Sequence, residues 1–259
     1  MLSFDKIPHN RLVLCLQKRI EDPKILRLIK LWLKAGIMEK GQYFPTMEGV
    51  PQGGPLSPLL SNIYLHVVDK IWSEKFPETK LVRFADDLRV LCRKNPMKYM
   101  RELVAILSWH ELKINSEKSQ IVHARNGFDF LGQHFRLKPS RKWKSWQFCY
   151  RWPSKKAMNT IKDKIRNTVG WDDIYDLETK IRVVNPIIRG WCQFHKYSNA
   201  AKHFKTIDAY VYQKLVSFMR RKYRWRGSGY SKAPRSFFEK LGLYHLRGNI
   251  RRWPLNATR

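Results

Sequence analysis

Apolar residues recur at intervals of three and four along most of the chain, which is the spacing of a helix with one buried face. Ile25 and Leu28 follow this spacing, and Gly36 then ends the run. Ser57 and Pro58 are typical of an N-cap followed by a first helical position. The pattern predicts helices over residues 10–20, 24–35, 58–71, 97–110, 154–169, 176–198 and 203–224.

Shorter apolar runs bounded by turn residues predict strands between some of these helices. Residues 41–50 are predicted to be extended, residues 79–93 to form a hairpin, and residues 119–124 and 128–135 to form short strands. Residues 225–236 contain two glycines and a proline and are predicted to be a loop. Helices mixed with antiparallel strands, followed by a helical second half, indicate the α+β fold class.

The predicted hairpin carries two adjacent carboxylates, Asp86 and Asp87, between two apolar runs. Adjacent acids in a tight turn oppose stability, because like charges repel and neither can be buried unpaired. Phosphoryl-transfer enzymes use carboxylates to hold two metal ions about 3.5–4 Å apart. The turn therefore predicts a metal site, with a solvated Asp-Asp turn as the alternative.

The chain has 259 residues and a formal net charge of +30, which indicates a polyanionic partner. Residues 136–259 hold 30 lysines and arginines against 7 acidic residues, so the positive charge is concentrated in the second half. Nucleic acid is the predicted partner, and an anionic membrane surface is the rival. No apolar stretch approaches the ~20 residues of a transmembrane helix, which argues against a membrane partner.

The four cysteines are far apart, and none forms the C-x-x-C pair of a structural zinc site. The N-terminus lacks a charged segment followed by an apolar one, so no secretion signal is predicted. These features predict a protein of the bacterial cytoplasm or of an organelle's matrix or stroma, and not a secreted one.

Several blocks of the sequence resemble group II intron reverse transcriptases. VPQGGPLSPLLSNIYL at residues 50–65, LKINSEKS at 112–119 and GFDFLG at 127–132 resemble core blocks of that family, and RFADD at 83–87 resembles its metal-binding turn. NPIIRGW at 185–191 and FKTID at 204–208 resemble the maturase-specific domain, the thumb-like helical region that binds intron RNA. The order and spacing of the blocks agree with the family over nearly the whole chain.

The resemblance implies a reverse-transcriptase palm over residues 1–137, followed by a basic α-helical thumb and maturase-specific domain over residues 138–259. It implies that Asp86 and Asp87 are catalytic ligands of a two-metal Mg²⁺ site. Lys118 would lie near the leaving pyrophosphate, or else be an exposed lysine. The residues implied to line the template and nucleotide pocket are Gln52, Gly53, Gly54 and Phe84.

One departure from the family lies at the start of the chain. FDKIPH at residues 4–9 resembles the end of the first palm motif, where two aspartates stand six residues apart. Asp5 matches the second aspartate, so the first metal-binding carboxylate would precede Met1, as would the fingers region. The chain is therefore interpreted as the C-terminal part of a reverse transcriptase–maturase, with one catalytic carboxylate missing.

Basic residues of the second half are predicted to contact RNA. In the stretch 141–152, cations can meet phosphates and aromatic rings can stack on bases, while packing of the tryptophans between domains is the alternative. Charge runs are also often solvated helix faces. The predicted RNA-binding residues are Arg141, Lys142, Lys144, Arg151, Lys155, Lys156, Lys196, Lys202, Lys205, Arg220, Arg221, Lys222 and Arg224.

The resemblance supports a first hypothesis, in which the protein binds intron RNA and assists splicing. Complemented by an N-terminal fingers polypeptide, it would also copy RNA into DNA with Mg²⁺, a DNA primer and dNTPs. A second hypothesis is a catalytically inactive splicing cofactor or ribonucleoprotein subunit that kept only RNA binding. A decaying reading frame without a selected function is the third interpretation.

Overall fold

The structure is a computed structural model that describes residues 7–39, 42–44, 48–49, 54–115, 117, 119–140, 145–170 and 175–251. The chain divides into two compact units, Met1–Ile121 and Val122–Arg259. Each unit has its own cluster of buried apolar side chains.

Helices form the frame of the first unit, and their amphipathic faces supply its core. Trp72, Tyr64 and Leu107 are among the fully buried side chains of this core. Asp22 caps one helix by accepting a hydrogen bond from the backbone N–H of Lys24 at 2.7 Å. The helices are α1 (His9–Gln17), α2 (Pro23–Lys34), α3 (Ser57–Lys75) and α4 (Pro96–Trp109).

Two antiparallel hairpins complete the described part of the first unit. Strands β1 (Ile37–Glu39) and β2 (Gln42–Phe44) form one, and β3 (Lys80–Phe84) and β4 (Asp87–Leu91) form the other. The second hairpin lies against α3, and its partly buried Leu88 joins the core. This packing fixes the position of the turn between β3 and β4.

The second unit begins with a three-stranded antiparallel sheet and continues as a helical bundle. The sheet order is β5–β6–β7, so β6 is the central strand. Ile165, Val184 and Leu215 come from three different helices and are fully buried in the bundle core. The elements are β5 (Phe128–Phe130), β6 (Gln133–Pro139), β7 (Gln147–Pro153), α5 (Lys155–Thr168), α6 (Leu177–His195), α7 (Ala201–Lys222) and α8 (Arg235–Lys240).

The predicted α+β fold class is confirmed, as are the predicted helices, whose ends shift by a few residues. Helix α3 begins at Ser57, so this residue is the first helical residue and Leu56 is the N-cap. The hairpin over 79–93 is confirmed as β3 and β4. Helical periodicity and turn residues are local signals, which is why these elements could be read from the sequence.

The strand predictions downstream of α4 are partly wrong. Residues 119–124 form no strand, and the backbone turns at the end of this stretch, where the N–H of Asn126 donates to the carbonyl of His123. The predicted strand over 128–135 divides into β5 and β6 at a turn that contains Gly132. Strand β7 was not predicted, so the second half is not helical alone.

The predictions of an extended stretch over residues 41–50 and a loop over residues 225–236 agree with the structure only in part. Strand β2 lies within residues 41–50, but half of that stretch is outside the described residues. The loop predicted over 225–236 holds except at its end, where α8 begins at Arg235.

Candidate active site and nucleic-acid interface

The two carboxylates lie at the tip of the hairpin formed by β3 and β4. Phe84 pairs with Asp87 across the hairpin, so Ala85 and Asp86 form a two-residue turn. Ala85 has a φ of 51°, a left-handed conformation that costs a residue with a Cβ about 1–2 kcal/mol. Both carboxylates are half-buried, and such strained positions cluster at functional sites.

Arg83 attaches this turn to helix α3. Its Nη2 and Nε donate to the carboxylate of Asp69 at 2.6 Å and 3.0 Å, and its Nη1 donates to Oδ1 of Asn62 at 2.8 Å. Nη1 also approaches the carbonyl of Ala85 at 3.4 Å. The Arg83 side chain is only 12% exposed, and its guanidinium, bonded to Asp69 and Asn62, holds the turn against the helix.

A cleft of about 810 Å³ opens beside the turn, between α3 and β3. Pro58 and Asn62 line it from the helix, and Phe84 and Ala85 line it from the hairpin. Phe84 is 61% exposed, so an apolar ring stands at the surface beside the two carboxylates. The cleft is thus lined by the start of α3 and by Ala85 of the turn, which directly precedes Asp86.

The loop before α3 is described from Gly54 onward. The N–H of Ser57 donates to the carbonyl of Gly54 at 3.1 Å, which leads the loop into the helix. Gly54 is therefore at the N-terminal end of the helix that holds the hairpin. Gln52, Gly53 and Lys118, the other residues predicted beside Asp86 and Asp87, lie outside the described residues.

The described residues contain no group of three or more His, Cys, Asp or Glu side chains arranged to hold a metal ion. Asp86 and Asp87 supply carboxylate oxygens, which is the donor chemistry that Mg²⁺ takes, and Mg²⁺ commonly binds through one or two carboxylates plus phosphates and water. The pair therefore fits a magnesium site that substrate completes. Asp5, from the first palm block, lies outside the described residues.

Asp69 and Asn62 are the positioning residues that sequence reasoning missed. Asp69 follows Val67 and Val68 and precedes Lys70, and an acid beside apolar residues on a helix is typical of an ion pair. This signal points to a charged partner. It does not identify Arg83, because the two residues meet only when α3 packs on β3.

One end of the second unit collects several of the predicted RNA-binding residues. Arg151 near the end of β7 donates from Nη2 to the carbonyl of Tyr197, and its backbone N–H donates to Oδ1 of Asn199. These bonds join the β7–α5 junction to the connection between α6 and α7. Lys155 and Lys156 follow in the exposed first turn of α5.

Lys196, Lys202 and Lys205 belong to the same end of the bundle. Lys196 is the C-cap of α6, and its Nζ donates to Oε1 of Gln193 at 2.6 Å. Lys202 and Lys205 are exposed in the first turns of α7. We name Lys155, Lys156, Lys202 and Lys205 the lysine end.

Four more of the predicted basic residues lie at or just beyond the opposite end of α7. This helix has 22 residues, so its ends are about 33 Å apart at 1.5 Å per residue. Arg220, Arg221 and Lys222 occupy its last turn, and Lys222 donates to the carbonyl of Tyr175. Arg224 follows the helix with a φ of 48°. Arg141, Lys142 and Lys144 lie outside the described residues.

Two buried histidines have perturbed pKa values. Burial and, to a lesser extent, the nearby His203 together lower the pKa of His195 to about 4. Burial also lowers the pKa of His110, whose ring stacks on Tyr64 with centroids 4.0 Å apart. His110 Nε2 donates to the carbonyl of Tyr64, and the Tyr64 hydroxyl donates to the carbonyl of His110, so this pair is part of the core.

Comparison with known families identifies the class of protein that this fold and site define. The family described as reverse transcriptase (RNA-dependent DNA polymerase) matches residues 3–135, and the group II intron maturase-specific domain matches residues 158–237. The first match covers more than half of the chain. The chain therefore belongs to the reverse transcriptase family, in the branch that carries a group II intron maturase domain.

Individual relatives agree with this assignment. Protein YkfC of Escherichia coli strain K12 is 30% identical over 173 residues, which cover 53% of this chain and 45% of that protein. The group II intron-encoded protein LtrA of Lactococcus lactis is 52% identical over 67 residues, 26% of this chain and 11% of that protein. Maturase-like protein 1 of Euglena longa is 29% identical over 147 residues, 55% of this chain and 29% of that protein.

The chain spans less than half the length of each of these relatives. In the part of the chain that the structure describes, no helix combines the length and apolar character needed to cross a membrane.

Proposed function

We propose that this protein binds group II intron RNA and assists its splicing, in the bacterial cytoplasm or in the organelle where that RNA is made. The observation that carries the proposal is the lysine end of the second unit. Lys155 and Lys156 lie in the first turn of α5, and Lys202 and Lys205 lie at the start of α7. Neither helix has an acidic residue in its first turn.

Helix electrostatics argue that these lysines serve a partner rather than the fold. The N-terminus of a helix carries a partial positive charge, so a cation there is unfavourable by about 0.3–1 kcal/mol. A bound phosphate reverses this balance, because the N-terminus and the lysines both attract it. Arg220, Arg221 and Lys222 differ, since cations at a helix C-terminus stabilise the helix by themselves.

The test is binding and splicing of a group II intron RNA by a variant that carries Lys155→Gln, Lys156→Gln, Lys202→Gln and Lys205→Gln. We expect its affinity to fall about 10-fold or more at physiological salt, because it loses up to four phosphate contacts. The matched control removes the same charge from α2 of the first unit, through Lys24→Gln, Arg27→Gln, Lys30→Gln and Lys34→Gln. Equal losses in the two variants would contradict the proposal.

The hairpin tip supports a second, conditional activity, RNA-templated DNA synthesis. We propose that Asp86 and Asp87 hold Mg²⁺ when substrate is bound. The ion would neutralise the triphosphate and activate the primer hydroxyl. Arg83 keeps the two carboxylates in place, and Phe84 offers an exposed ring beside them. We propose that a third carboxylate is supplied by an N-terminal fingers and palm polypeptide, as the first palm block of the resembling family implies.

Primer extension on an RNA template with a DNA primer, dNTPs and Mg²⁺ tests this activity. We expect no extension from the chain alone, and extension after the N-terminal part of a related enzyme is added. Asp86→Asn with Asp87→Asn should abolish that extension and leave splicing within about 2-fold of the unaltered protein. Unaltered extension in this variant would exclude the metal role of the two carboxylates, and loss of splicing in a folded variant would contradict the splicing role proposed for the second unit.

A further inference from the structure

Strands β6 and β7 present a row of rings and cations on one face of their sheet. Lys138 pairs with Phe148, Arg136 pairs with Tyr150, and His134 pairs with Trp152. Paired residues, and residues two apart on one strand, lie on the same face. The backbone bond from Ser140 to the carbonyl of Trp146 extends the pairing by one step. We name this the aromatic–basic face; its members are His134, Arg136, Lys138, Trp146, Phe148, Tyr150 and Trp152.

The outer part of this face exposes large aromatic rings to solvent. Trp146 is 63% exposed and Phe148 is 43% exposed. Their rings stack with centroids 6.4 Å apart and an angle of 21° between the planes. Exposed apolar rings on a hairpin are unfavourable in water and invite association, so a surface that keeps two of them stacked has the character of a binding site.

Cations are interleaved with these rings. The Nζ of Lys138 lies 4.9 Å from the ring centroid of Trp152, a cation–π distance. Arg136 is exposed, and its Nε donates to the carbonyl of Arg125, which steadies the guanidinium on this face. The ring of His134 lies 4.9 Å from that of Trp152. The cations Arg136 and Lys138 on β6 therefore lie across from the aromatic rings on β7.

The opposite face of the same sheet is the one attached to the rest of the unit. Phe135 stacks on Phe128 with centroids 5.5 Å apart. Arg151, which pairs with Phe135, donates to the carbonyl of Tyr197 in the α6–α7 connection. The exposed rings of Trp146 and Phe148 therefore lie on the side of the sheet away from this attachment.

We propose that the aromatic–basic face binds unpaired RNA nucleotides, with bases stacked on Trp146 and Phe148 and phosphates held by Lys138 and Arg136. The proposal rests on the RNA-binding function proposed above and specifies where, and in which form, RNA binds. Every base offers a π face, but only an unpaired base exposes it to a side chain. From Trp146 to Trp152 the strand extends about 20 Å, which is room for several nucleotides.

Charge complementarity selects a polyanion for this face rather than an apolar protein surface. Residues 122–259 hold 31 lysines and arginines against 8 acidic residues. An acidic peptide would meet the cations but has no bases to stack on the rings. Oligoglutamate is therefore a discriminating competitor.

The test measures binding of a 12-nucleotide unpaired RNA and of a 12-base-pair RNA duplex by fluorescence anisotropy at physiological salt. The variant Trp146→Leu with Phe148→Leu keeps apolar side chains and removes the rings. We expect its affinity for unpaired RNA to fall about 10-fold or more, since each stacked base contributes strongly, and its affinity for the duplex to stay within 2-fold. Gln147→Ala with Cys149→Ala, exposed on the other face of β7, is the matched control.

Several results would overturn the proposal. For the leucine variant, these results are unchanged binding of unpaired RNA, or a loss of duplex binding as large as the loss of unpaired RNA binding. For the unaltered protein, they are tighter binding of unpaired DNA than of RNA with the same sequence, or competition by oligoglutamate as strong as competition by RNA. The unfolding temperature of both variants must lie within a few degrees of that of the unaltered protein. If the leucine variant is less stable than this, Lys138→Gln with Arg136→Gln replaces it, and we again expect weaker binding of unpaired RNA with unchanged binding of the duplex. If the unaltered protein binds no RNA at all, the proposed function fails; if it binds intron RNA and the leucine variant binds unpaired RNA normally, only this inference fails.

Discussion

At the scale of single residues, Arg83 decides the geometry of the candidate active site. Its guanidinium joins Asp69 and Asn62 on α3 to the turn that carries Asp86. The arginine is nearly buried, so Asp69 without it would be a half-buried carboxylate that has lost its partner. Hydrogen bonds to charged groups contribute about 1.5–3 kcal/mol each, more than neutral ones.

Arg83→Met should lower the free energy of unfolding by about 2 kcal/mol, because it leaves Asp69 without its ion pair. The measurement is urea unfolding followed by circular dichroism. Arg93→Met, an exposed arginine just beyond β4, is the control and should change stability by less than about 0.5 kcal/mol. A loss of the same size in both variants would argue against a role of Arg83 in holding the turn.

His195 predicts a pH dependence of stability. Its pKa is about 4 in the fold, below the ordinary value of 6.5, because the ring is buried. Between these values the unfolded chain binds the proton more readily, so stability is complete above about pH 6.5 and declines as the pH falls toward 4. In His195→Gln this decline should be shallower, as measured by unfolding at a series of pH values. His66→Gln, on the exposed side of α3, should keep the full decline.

At the scale of elements, the β7–α5 junction connects the sheet of the second unit to its bundle. Ser154 is the N-cap of α5, and its hydroxyl accepts a hydrogen bond from the N–H of Ala157. Its own N–H donates to the carbonyl of Gly132, in the turn between β5 and β6. A single buried serine thus joins the start of the helix to the sheet that carries the aromatic–basic face.

Ser154→Ala should destabilise the second unit by about 1 kcal/mol, since the helix loses its capping hydroxyl. Thermal unfolding followed by circular dichroism would detect the shift in midpoint. Thr160→Ala is a suitable control, because the Thr160 hydroxyl bonds only the carbonyl of Lys156 within the same exposed helix surface. An unchanged midpoint for Ser154→Ala would show that the cap contributes nothing.

At the scale of the whole molecule, the net charge of +30 is carried mostly by the second unit. Binding to RNA should therefore weaken steeply with salt, because each neutralised phosphate releases counterions. In the tertiary fold, part of this charge lies at the lysine end and part at the C-terminus of α7. The two ends of α7 are about 33 Å apart.

The slope of log affinity against log salt concentration should become shallower by about 0.7–0.9 for each phosphate contact removed. Lys155→Gln with Lys156→Gln should reduce it by about 1.5, and Arg220→Gln with Arg221→Gln by much less, since the last turn of α7 already stabilises those cations. Binding titrations over a salt series would measure both slopes. Equal reductions would place both ends of α7 on the RNA.

The sequence by itself determined the family, the α+β class, most helices and the hairpin with Asp86 and Asp87. These features rest on neighbours in the chain: helical periodicity, turn residues and contiguous motif blocks. It did not determine β7, because a strand is defined by the register of its partner, and it misassigned residues 119–124 for the same reason.

Only the tertiary structure decided which side chains meet. Arg83 reaches Asp69 across 14 positions, and Arg151 reaches Tyr197 across 46. The aromatic–basic face also emerges only when β6 and β7 pair in one register, since a shift of one residue would send its rings to the other side. Burial of His195, which sets its pKa, likewise depends on packing between helices that no local pattern encodes.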